Sequence, residues 1–215
     1  MSRVYVNNDK VIETEKVKEE IYKEIPLDAK RELFFPKLIN AMNYKVGAEI
    51  GVDTGDFSWN LLNNTTLNKL YCVDNWMDNF GSDFRPGAYD PVGVNRKQKA
   101  VERLIEFAGR FSIIHEDSFN AAQNIDNESL DFCYIDGDHS LEGIYVDLYT
   151  WIHKVKKGGV IAGHDFKDGR NSGMKNYWGE QLDFKIETVV RFFCEKYGYK
   201  LNTAGRRVKS WWFAV

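Results

Sequence analysis

Short apolar runs alternate along the middle of the chain with longer segments whose apolar residues recur every three or four positions. Short apolar runs bounded by glycines and acids indicate buried strands, and the three-and-four spacing indicates amphipathic helices. Strands are predicted at 45–52, 69–73, 111–115, 130–135 and 159–162. Helices are predicted at 57–62, at 95–108, from about residue 120 and at 141–155. This alternation predicts a parallel, Rossmann-like α/β sheet with helices on both faces.

The N-terminal segment departs from this alternation. Residues 14–24 and 28–43 interleave charged and apolar positions at helical spacing, with no strand between them. We therefore expect residues 1–44 to form an N-terminal helical cap, followed by a single domain at 45–215.

The C-terminal segment departs from the alternation in a different way. A predicted helix at 184–197 is followed by two strands, 199–203 and 210–215, with only a short link between them. A link of this length cannot form a parallel crossover. The last strand is therefore predicted to run antiparallel in a mostly parallel sheet.

Two long segments, 76–94 and 166–183, lack a clear hydrophobic period and follow predicted strands. Both are rich in glycine, aspartate and aromatic residues. Loops of this length are uncommon unless they are functional. We expect both segments to be irregular lids over a substrate site.

Composition narrows the class of protein only a little. The net charge of −3 gives no electrostatic footprint for nucleic acid or an anionic membrane. No apolar stretch approaches the roughly 18 residues of a membrane span, and the polar start lacks the apolar region of a secretory signal, so the cytoplasm is predicted. The widely spaced Cys72, Cys133 and Cys194 are predicted to be buried free thiols.

The first strand and its turn read GAEIGVDTGD, which spaces Glu49, Gly51 and Gly55 as acid-x-Gly-x-x-x-Gly. Glycines at such a turn let the backbone approach a ligand closely. The G-x-G-x-x-G fingerprint of dinucleotide-binding sites is absent, which argues against an NAD-dependent oxidoreductase. Glu49 would repel a pyrophosphate and is predicted to attract a cation such as an α-ammonium group.

Acids also follow the second and third predicted strands. Asp74 is positioned to accept hydrogen bonds from ribose hydroxyls, and Asp117 with Ser118 suits contacts to an adenine edge. Asp74 and Asp117 could instead be helix caps. Trp76 is predicted either to contact the adenine or ribose or to pack within the lid.

The fourth and fifth predicted strands end in YIDGDH (134–139) and VIAGHDF (160–166). Because the carboxyl ends of parallel strands meet at one edge of a sheet, Asp136, His164 and Asp165 are expected to converge in a metal or acid–base site. Two alternatives stay open. Asp138 could cap the following helix while His139 bonds to backbone, and His164 could be an ordinary polar residue at a strand end.

GAEIGVDTG, CVDNW, EDS and the terminal SWWFAV resemble class I S-adenosylmethionine-dependent methyltransferases over about residues 45–215. That resemblance implies a seven-stranded sheet with an antiparallel last strand, and S-adenosylmethionine as cofactor. The stretch from IDGDHSLEG to KKGGVIAGHDF is similar to the macrocin-type sugar O-methyltransferases and the cephalosporin-hydroxylase-like proteins.

The second resemblance implies a divalent metal bound by Asp136, His164 and Asp165. Mg²⁺ is expected first. Mn²⁺ or another metal is the alternative, because His164 stands where the sugar enzymes carry a carboxylate. Asp136 or His139 would be the general base in the O-methylation of a small hydroxylated acceptor such as a sugar or glycoside.

A second class of function stays open at this point. The chain could be a non-catalytic protein that binds S-adenosylmethionine or a nucleoside, or a subunit of a hydroxylase-like assembly. The departure at His164 is the feature that favours it. The expected partners are a small-molecule acceptor and, through the SWWFAV edge or the N-terminal helices, a second copy of the chain. No nucleic acid or membrane is expected as a partner.

Overall fold

The computed structural model describes residues 8–26, 28–77, 91–175, 181–205 and 209–215. The helices are α1 (Asn8–Glu24), α2 (Arg31–Ala41), α3 (Asp56–Asn64), α4 (Pro91–Leu104), α5 (Ser118–Gln123), α6 (Leu141–Trp151) and α7 (Ile186–Tyr197). The strands are β1 (Val46–Ile50), β2 (Lys69–Val73), β3 (Phe111–Ile114), β4 (Leu130–Ile135), β5 (Val155–Gly163), β6 (Asp168–Lys175), β7 (Gln181–Lys185), β8 (Asn202–Ala204) and β9 (Ser210–Ala214).

Seven strands form one sheet in the order β3-β2-β1-β4-β5-β9-β8. β1 to β5 pair in parallel, whereas β9 runs antiparallel to both β5 and β8. The predicted fold class is therefore confirmed, including the antiparallel last strand.

The strand register brings the carboxyl ends of β1 to β5 to one edge of the sheet. Ile50 pairs with Val73 on one side and with Ile135 on the other, and Ile135 pairs with Gly163. The residues that directly follow these strands therefore face a common cleft, which is where ligands bind in open α/β sheets.

Two hydrophobic clusters cover the two faces of the sheet. One joins the sheet to α1–α4 and contains Phe34, Phe35 and Trp212. The other joins it to α5–α7 and contains Trp151 and Trp211. Neighbouring β9 residues enter opposite clusters because successive strand side chains point to opposite faces. The helices of the predicted cap thus share a core with the sheet, while a domain division at residue 44 stays a prediction.

The segment 166–183 was wrongly predicted to be irregular. β6 and β7 pair in antiparallel fashion and form a separate two-stranded sheet. Their sequences, DGRNSGMK and QLDFK, contain few apolar residues, so the period of two that identifies a strand is missing. Of the other predicted lid, residues 78–90 lie outside the described part of the chain.

The boundary between α6 and β5 also differs from the prediction. The helix predicted at 141–155 ends at Trp151, and β5 begins at Val155. Lys156 therefore lies on this strand, and its Nζ donates to Asp131 Oδ1 at 2.7 Å. Apolar residues continue from the end of α6 into the start of β5. The hydrophobic pattern therefore does not show where the helix ends and the strand begins.

Cys72, Cys133 and Cys194 are free and buried, as predicted. Among the described residues, no helix is both long enough and apolar enough to cross a membrane.

Candidate active site

The turns after β1 and β4 touch each other at Gly51. This glycine has φ 87°, and a Cβ on it would overlap the backbone carbonyl of Asp136. Gly51 N also donates to Val73 O at 2.9 Å, and Asp136 N donates to Ile50 O at 2.7 Å. Gly51 therefore fixes the predicted cofactor turn directly against the predicted metal-binding turn.

Gly55 is the second glycine at which two segments of the backbone lie close together. It precedes α3 with φ 78°, and a Cβ on it would lie 3.2 Å from Ala100 Cα. The absent side chain lets α4 pack closely against the turn after β1.

Glu49 lies in β1 with its carboxyl buried under α3, and only 2% of the residue is exposed. Ser58 Oγ of α3 donates a hydrogen bond to it. Burial raises the pKa of Glu49 to about 8, against the opposing effects of Ser58 and Arg31. Burial therefore favours the protonated form of the predicted cation-binding acid.

Asp74 holds the turn after β1 in place. Its Oδ2 accepts from the backbone N–H groups of Val52 and Asp53, both at 2.8 Å, and its Oδ1 accepts from Trp76 N at 2.6 Å. It is not a helix cap, which was the alternative. A carboxylate has about four lone-pair sites, so these three bonds leave capacity for a further donor.

Trp76 is buried against the turn after β1 and against His115, while its predicted packing within the lid falls on residues outside the described part of the chain. It is 4% exposed, and its Nε1 donates to Asp53 O at 2.8 Å. The His115 ring packs edge-on against it with centroids 5.5 Å apart. A contact from Trp76 to adenine or ribose stays a prediction.

Asp117 caps α5, as the alternative interpretation held. Its Oδ1 accepts from Asn120 N at 2.9 Å and its Oδ2 from Asn120 Nδ2 at 2.5 Å. Asp117 is an exposed residue. Its predicted contact with an adenine edge stays a prediction.

Ser118 belongs to a buried polar chain that sequence reasoning missed. Ser118 Oγ donates to Asp147 Oδ1 of α6 and accepts from Trp151 Nε1 at 2.8 Å. Burial raises the pKa of Asp147 to about 7. Asp147 falls within the apolar stripe of α6, where its spacing gives no sign that it meets α5.

Four side chains converge beyond the ends of β4 and β5. One ligand atom from each of Asp136, His139 and Asp165 lies within 4.8 Å of the others, a grouping suited to a metal ion. His139 Nε2 lies 3.3 Å from Asp136 Oδ1 and 3.9 Å from Asp165 Oδ2. His164 Nδ1 lies 3.7 Å from each of the same two oxygens. Asp136, His164 and Asp165 lie near one another as expected, but the grouping suited to an ion has His139 in the place of His164.

The β5–β9 pairing holds His164 and Asp165 at this place. Gly163 pairs with Trp211, whose ring would overlap any Cβ on Gly163. Trp211 Nε1 donates to His164 O at 3.2 Å, and Asp165 adopts φ 48°, a left-handed conformation that Asp tolerates. The indole thus fixes the backbone from which both side chains extend.

The alternative in which Asp138 caps the following helix is wrong. Ser140 caps α6, with its Oγ accepting from Gly143 N at 3.0 Å. Asp138 Oδ1 accepts instead from Ser140 N at 2.9 Å. The His139 imidazole is left directed at Asp136.

Arg31, the first residue of α2, also reaches this cluster. Its Nη1 lies 2.5 Å from Asp136 Oδ2, and its guanidinium carbon lies 4.7 Å from the centre of the Phe57 ring. Arg31 and Asp136 are 105 positions apart. No local signal in the sequence distinguishes Arg31 from the other charged residues of the N-terminal helices.

Opposite charges dominate the electrostatics of the cluster. The neighbouring His164 imidazole, opposed by burial, lowers the pKa of Asp165 to about 2. Burial would lower the pKa of His139, but the neighbouring Asp136 and Asp165 raise it overall.

The donor set fits a divalent metal. Donors bound at about 2.0–2.2 Å lie about 3.0–3.5 Å apart around one ion. His139 Nε2 and Asp136 Oδ1 lie 3.3 Å apart, within this range, whereas the other three pairs, at 3.7–3.9 Å, would have to close by a few tenths of an ångström around an ion. Two carboxylates with imidazole suit Mn²⁺, Fe²⁺ or Zn²⁺, and carboxylate oxygens also suit Mg²⁺.

Solved structures share this fold across nearly the whole chain. A Staphylococcus aureus protein assigned as a caffeoyl-CoA O-methyltransferase superposes with a TM-score of 0.62 at 14% identity, covering 94% of this chain and 92% of that one. An O-methyltransferase from Bacillus cereus, solved with SAH (S-adenosylhomocysteine), gives a TM-score of 0.58 at 14% identity, covering 99% and 93%. A Geobacter sulfurreducens methyltransferase gives 0.55 at 12% identity, covering 96% and 88%.

One curated relative and one family model also match part of this chain. The uncharacterized protein y4gI of Sinorhizobium fredii is 23% identical over 113 residues, which span 52% of this chain and 12% of y4gI. The family described as "Methyltransferase domain" matches residues 48–166, from β1 to the residues after β5. This match confirms the predicted methyltransferase domain. The chain belongs to the methyltransferase-domain family.

Proposed function

We propose that this protein transfers the methyl group of S-adenosylmethionine to a hydroxyl oxygen of a small acceptor, such as a sugar or glycoside, with the help of a divalent metal. The observation that carries the proposal is the cluster of Asp136, His139, His164 and Asp165 beside the turn after β1. Such a group can hold an acceptor oxygen through a metal and remove its proton.

The cofactor occupies the half of the cleft formed by the ends of β1, β2 and β3. Asp74 accepts from the ribose hydroxyls through its remaining lone-pair capacity. Asp117 and Ser118 border the adenine, with Trp76 nearby. Glu49 faces the α-ammonium group, whose positive charge would favour loss of the proton that burial now retains.

The acceptor occupies the half formed by the ends of β4 and β5. Asp136, His164 and Asp165 would hold the metal, which leaves His139 as the base. The metal, when bound, supplies Lewis-acid stabilisation of charge on the acceptor oxygen. His139 takes the hydroxyl proton, the new O–CH₃ bond forms as the S–CH₃ bond breaks, and S-adenosylhomocysteine leaves.

The contact at Gly51 supports the assignment of the cofactor to one half of the cleft and the acceptor to the other. Because the turns after β1 and β4 meet there, a methyl group presented by the first turn lies next to an oxygen held by the second. Proximity and alignment of the two reacting atoms are the main requirements of methyl transfer.

The test is calorimetric titration of the full chain with S-adenosylhomocysteine, with and without Mg²⁺ or Mn²⁺. It is followed by measurement of S-adenosylhomocysteine release from S-adenosylmethionine over a panel of sugars and glycosides. Failure to bind the cofactor product would overturn the whole proposal. Turnover that is indifferent to EDTA would remove only the metal.

Several finer expectations belong to the same proposal. The macrocin-type subgroup, a cytoplasmic location, an independent cap at residues 1–44 and a homo-oligomer are all expectations from the sequence. The acceptor panel addresses the subgroup, and sedimentation of the purified chain addresses the oligomer.

A further inference from the structure

Arg31 is a cation fixed at the edge of the candidate metal cluster. Its side chain is 19% exposed, and its Nη1 lies 2.5 Å from Asp136 Oδ2. The other oxygen, Asp136 Oδ1, is the one that faces His139 and His164, at 3.3 Å and 3.7 Å. The two oxygens of one carboxylate thus have separate partners.

Aromatic rings and a second acid hold the guanidinium in this orientation. Its carbon lies 4.7 Å from the Phe57 ring centre and 5.6 Å from that of Tyr134. Arg31 Nε donates to Glu32 Oε1 at 3.2 Å. A planar guanidinium stacked on rings and bonded at two edges is far more restrained than a flexible ammonium would be.

We propose that Arg31 is a positioning residue for the metal site, holding Asp136 Oδ2 so that Asp136 offers Oδ1 alone to the ion. This inference rests on the proposed function, because it assumes that the cluster binds a divalent metal. Hydrogen-bonded partners of ligating groups orient them and typically change metal affinity by about 10–100-fold when removed.

The placement of α2 makes this role specific to Arg31. Phe34 and Phe35 of the same helix are fully buried and pack against Trp212 and Tyr134. The helix start is therefore fixed relative to β4, the strand that ends in Asp136. An N-terminal helix outside the family match at 48–166 thereby contributes to the site.

Mn²⁺ binding to the purified full chain tests the proposal, with free Mn²⁺ measured by electron paramagnetic resonance and thermal unfolding recorded alongside. Arg31→Met keeps the apolar stem over the rings and removes the donors. We expect it to raise the Kd for Mn²⁺ by about tenfold or more. Arg31→Lys keeps the positive charge but lacks the planar set of guanidinium N–H donors. We expect it to recover part of the affinity for Mn²⁺.

Arg110→Met is the matched control. Arg110 also lies over an aromatic ring, Phe107 at 5.7 Å, and donates to the backbone carbonyls of Leu67 and Thr65. It lies at the opposite edge of the sheet, next to the start of β3. We expect this variant to lose stability without a change in the Kd for Mn²⁺.

The outcomes separate this inference from the proposed function. Unchanged or tighter Mn²⁺ binding in folded Arg31→Met overturns the role of Arg31 and leaves the metal site in place. An equal loss of Mn²⁺ affinity in Arg110→Met would make the effect one of general destabilisation and also overturns it. No Mn²⁺ binding by the unaltered chain overturns both this inference and the metal part of the proposed function, while cofactor binding stands separately.

Discussion

The two halves of the cleft use acidic side chains in different ways. At the ends of β1, β2 and β3, each acid is bonded within its own surroundings: Glu49 by Ser58, Asp74 by three backbone N–H groups, and Asp117 by Asn120. At the ends of β4 and β5, carboxylates and imidazoles face one another at 3.3–3.9 Å.

This difference separates acids that shape a turn from acids that can gather around an ion. A carboxylate bonded to backbone N–H groups fixes loop geometry and retains limited capacity for a ligand. Asp136 and Asp165 bring two negative charges close together, which a bound cation stabilises. The same residue type after each strand therefore does not imply the same task.

The largest expected effect follows from Asp136→Asn. Replacing a carboxylate that is proposed to bind the metal directly should weaken Mn²⁺ binding by about 100-fold or more. This loss exceeds the one expected when only a hydrogen-bonded partner of a metal ligand is removed. Binding of S-adenosylhomocysteine should change by no more than a few-fold, since the predicted cofactor acids follow other strands. Electron paramagnetic resonance and calorimetry measure the two affinities.

Asp131→Asn is the control for this prediction, because Asp131 lies on the same strand at its opposite end and bonds to Lys45 N and Val46 N. We expect it to retain Mn²⁺ binding. If Asp136→Asn lost cofactor binding instead of Mn²⁺ binding, the division between the two halves would be wrong.

Gly51→Ala breaks the contact between the two halves. The new Cβ would overlap Asp136 O, and φ is 87°, so we expect a loss of at least about 3 kcal/mol in the free energy of unfolding. Gly109→Ala has nearly the same backbone strain, with φ 89°, but no heavy atom within 4 Å of its Cβ. Its expected loss is only about 1 kcal/mol. Denaturant unfolding compares them, and equal losses would show that the contact between the turns contributes nothing.

Glu49→Gln should remove a pH dependence of stability. Folded Glu49 keeps its proton up to a pKa of about 8, whereas in the unfolded chain it ionises near about 4.3. Between these values the folded state binds more protons, so the free energy of unfolding falls as pH rises. We expect Glu49→Gln to gain about 1 kcal/mol or more relative to the unaltered chain between about pH 5 and about pH 8.

Denaturant unfolding at the two pH values measures this effect. The exposed Glu102→Gln is the control and should leave the pH dependence in place. If the free energy of unfolding differed between Glu49→Gln and the unaltered chain by the same amount at both pH values, Glu49 would already be ionised in the folded protein.

Asp117 should give the smallest effect. Asp117→Ala removes the cap of α5 and should cost about 1 kcal/mol in thermal or chemical unfolding, whereas Asp117→Asn preserves a good cap and should cost far less. If Asp117 also contacts adenine, calorimetry will show weaker S-adenosylhomocysteine binding in both variants. Loss of stability without loss of affinity would limit Asp117 to capping.

Much of the candidate site could be predicted because strand ends can be located from the sequence. Asp136, His164 and Asp165 follow two apolar runs that are adjacent in the sheet, and parallel strands bring such residues together. The hairpin of β6 and β7 was missed because its residues carry little hydrophobic alternation. The hydrogen bond between Ser118 and Asp147 was missed because it joins polar side chains of two helices. Hydrophobic periodicity gives no information about such a contact.

The sequence by itself determined the α/β alternation, the antiparallel last strand and the chemistry at each strand end. These properties follow from local hydrophobic period and link length, which act over a few residues. Only the tertiary structure decided which acids are bonded within their own turns, and that Arg31 pairs with Asp136. That pairing depends on packing α2 against β4, so the two residues meet only once the core between them has formed.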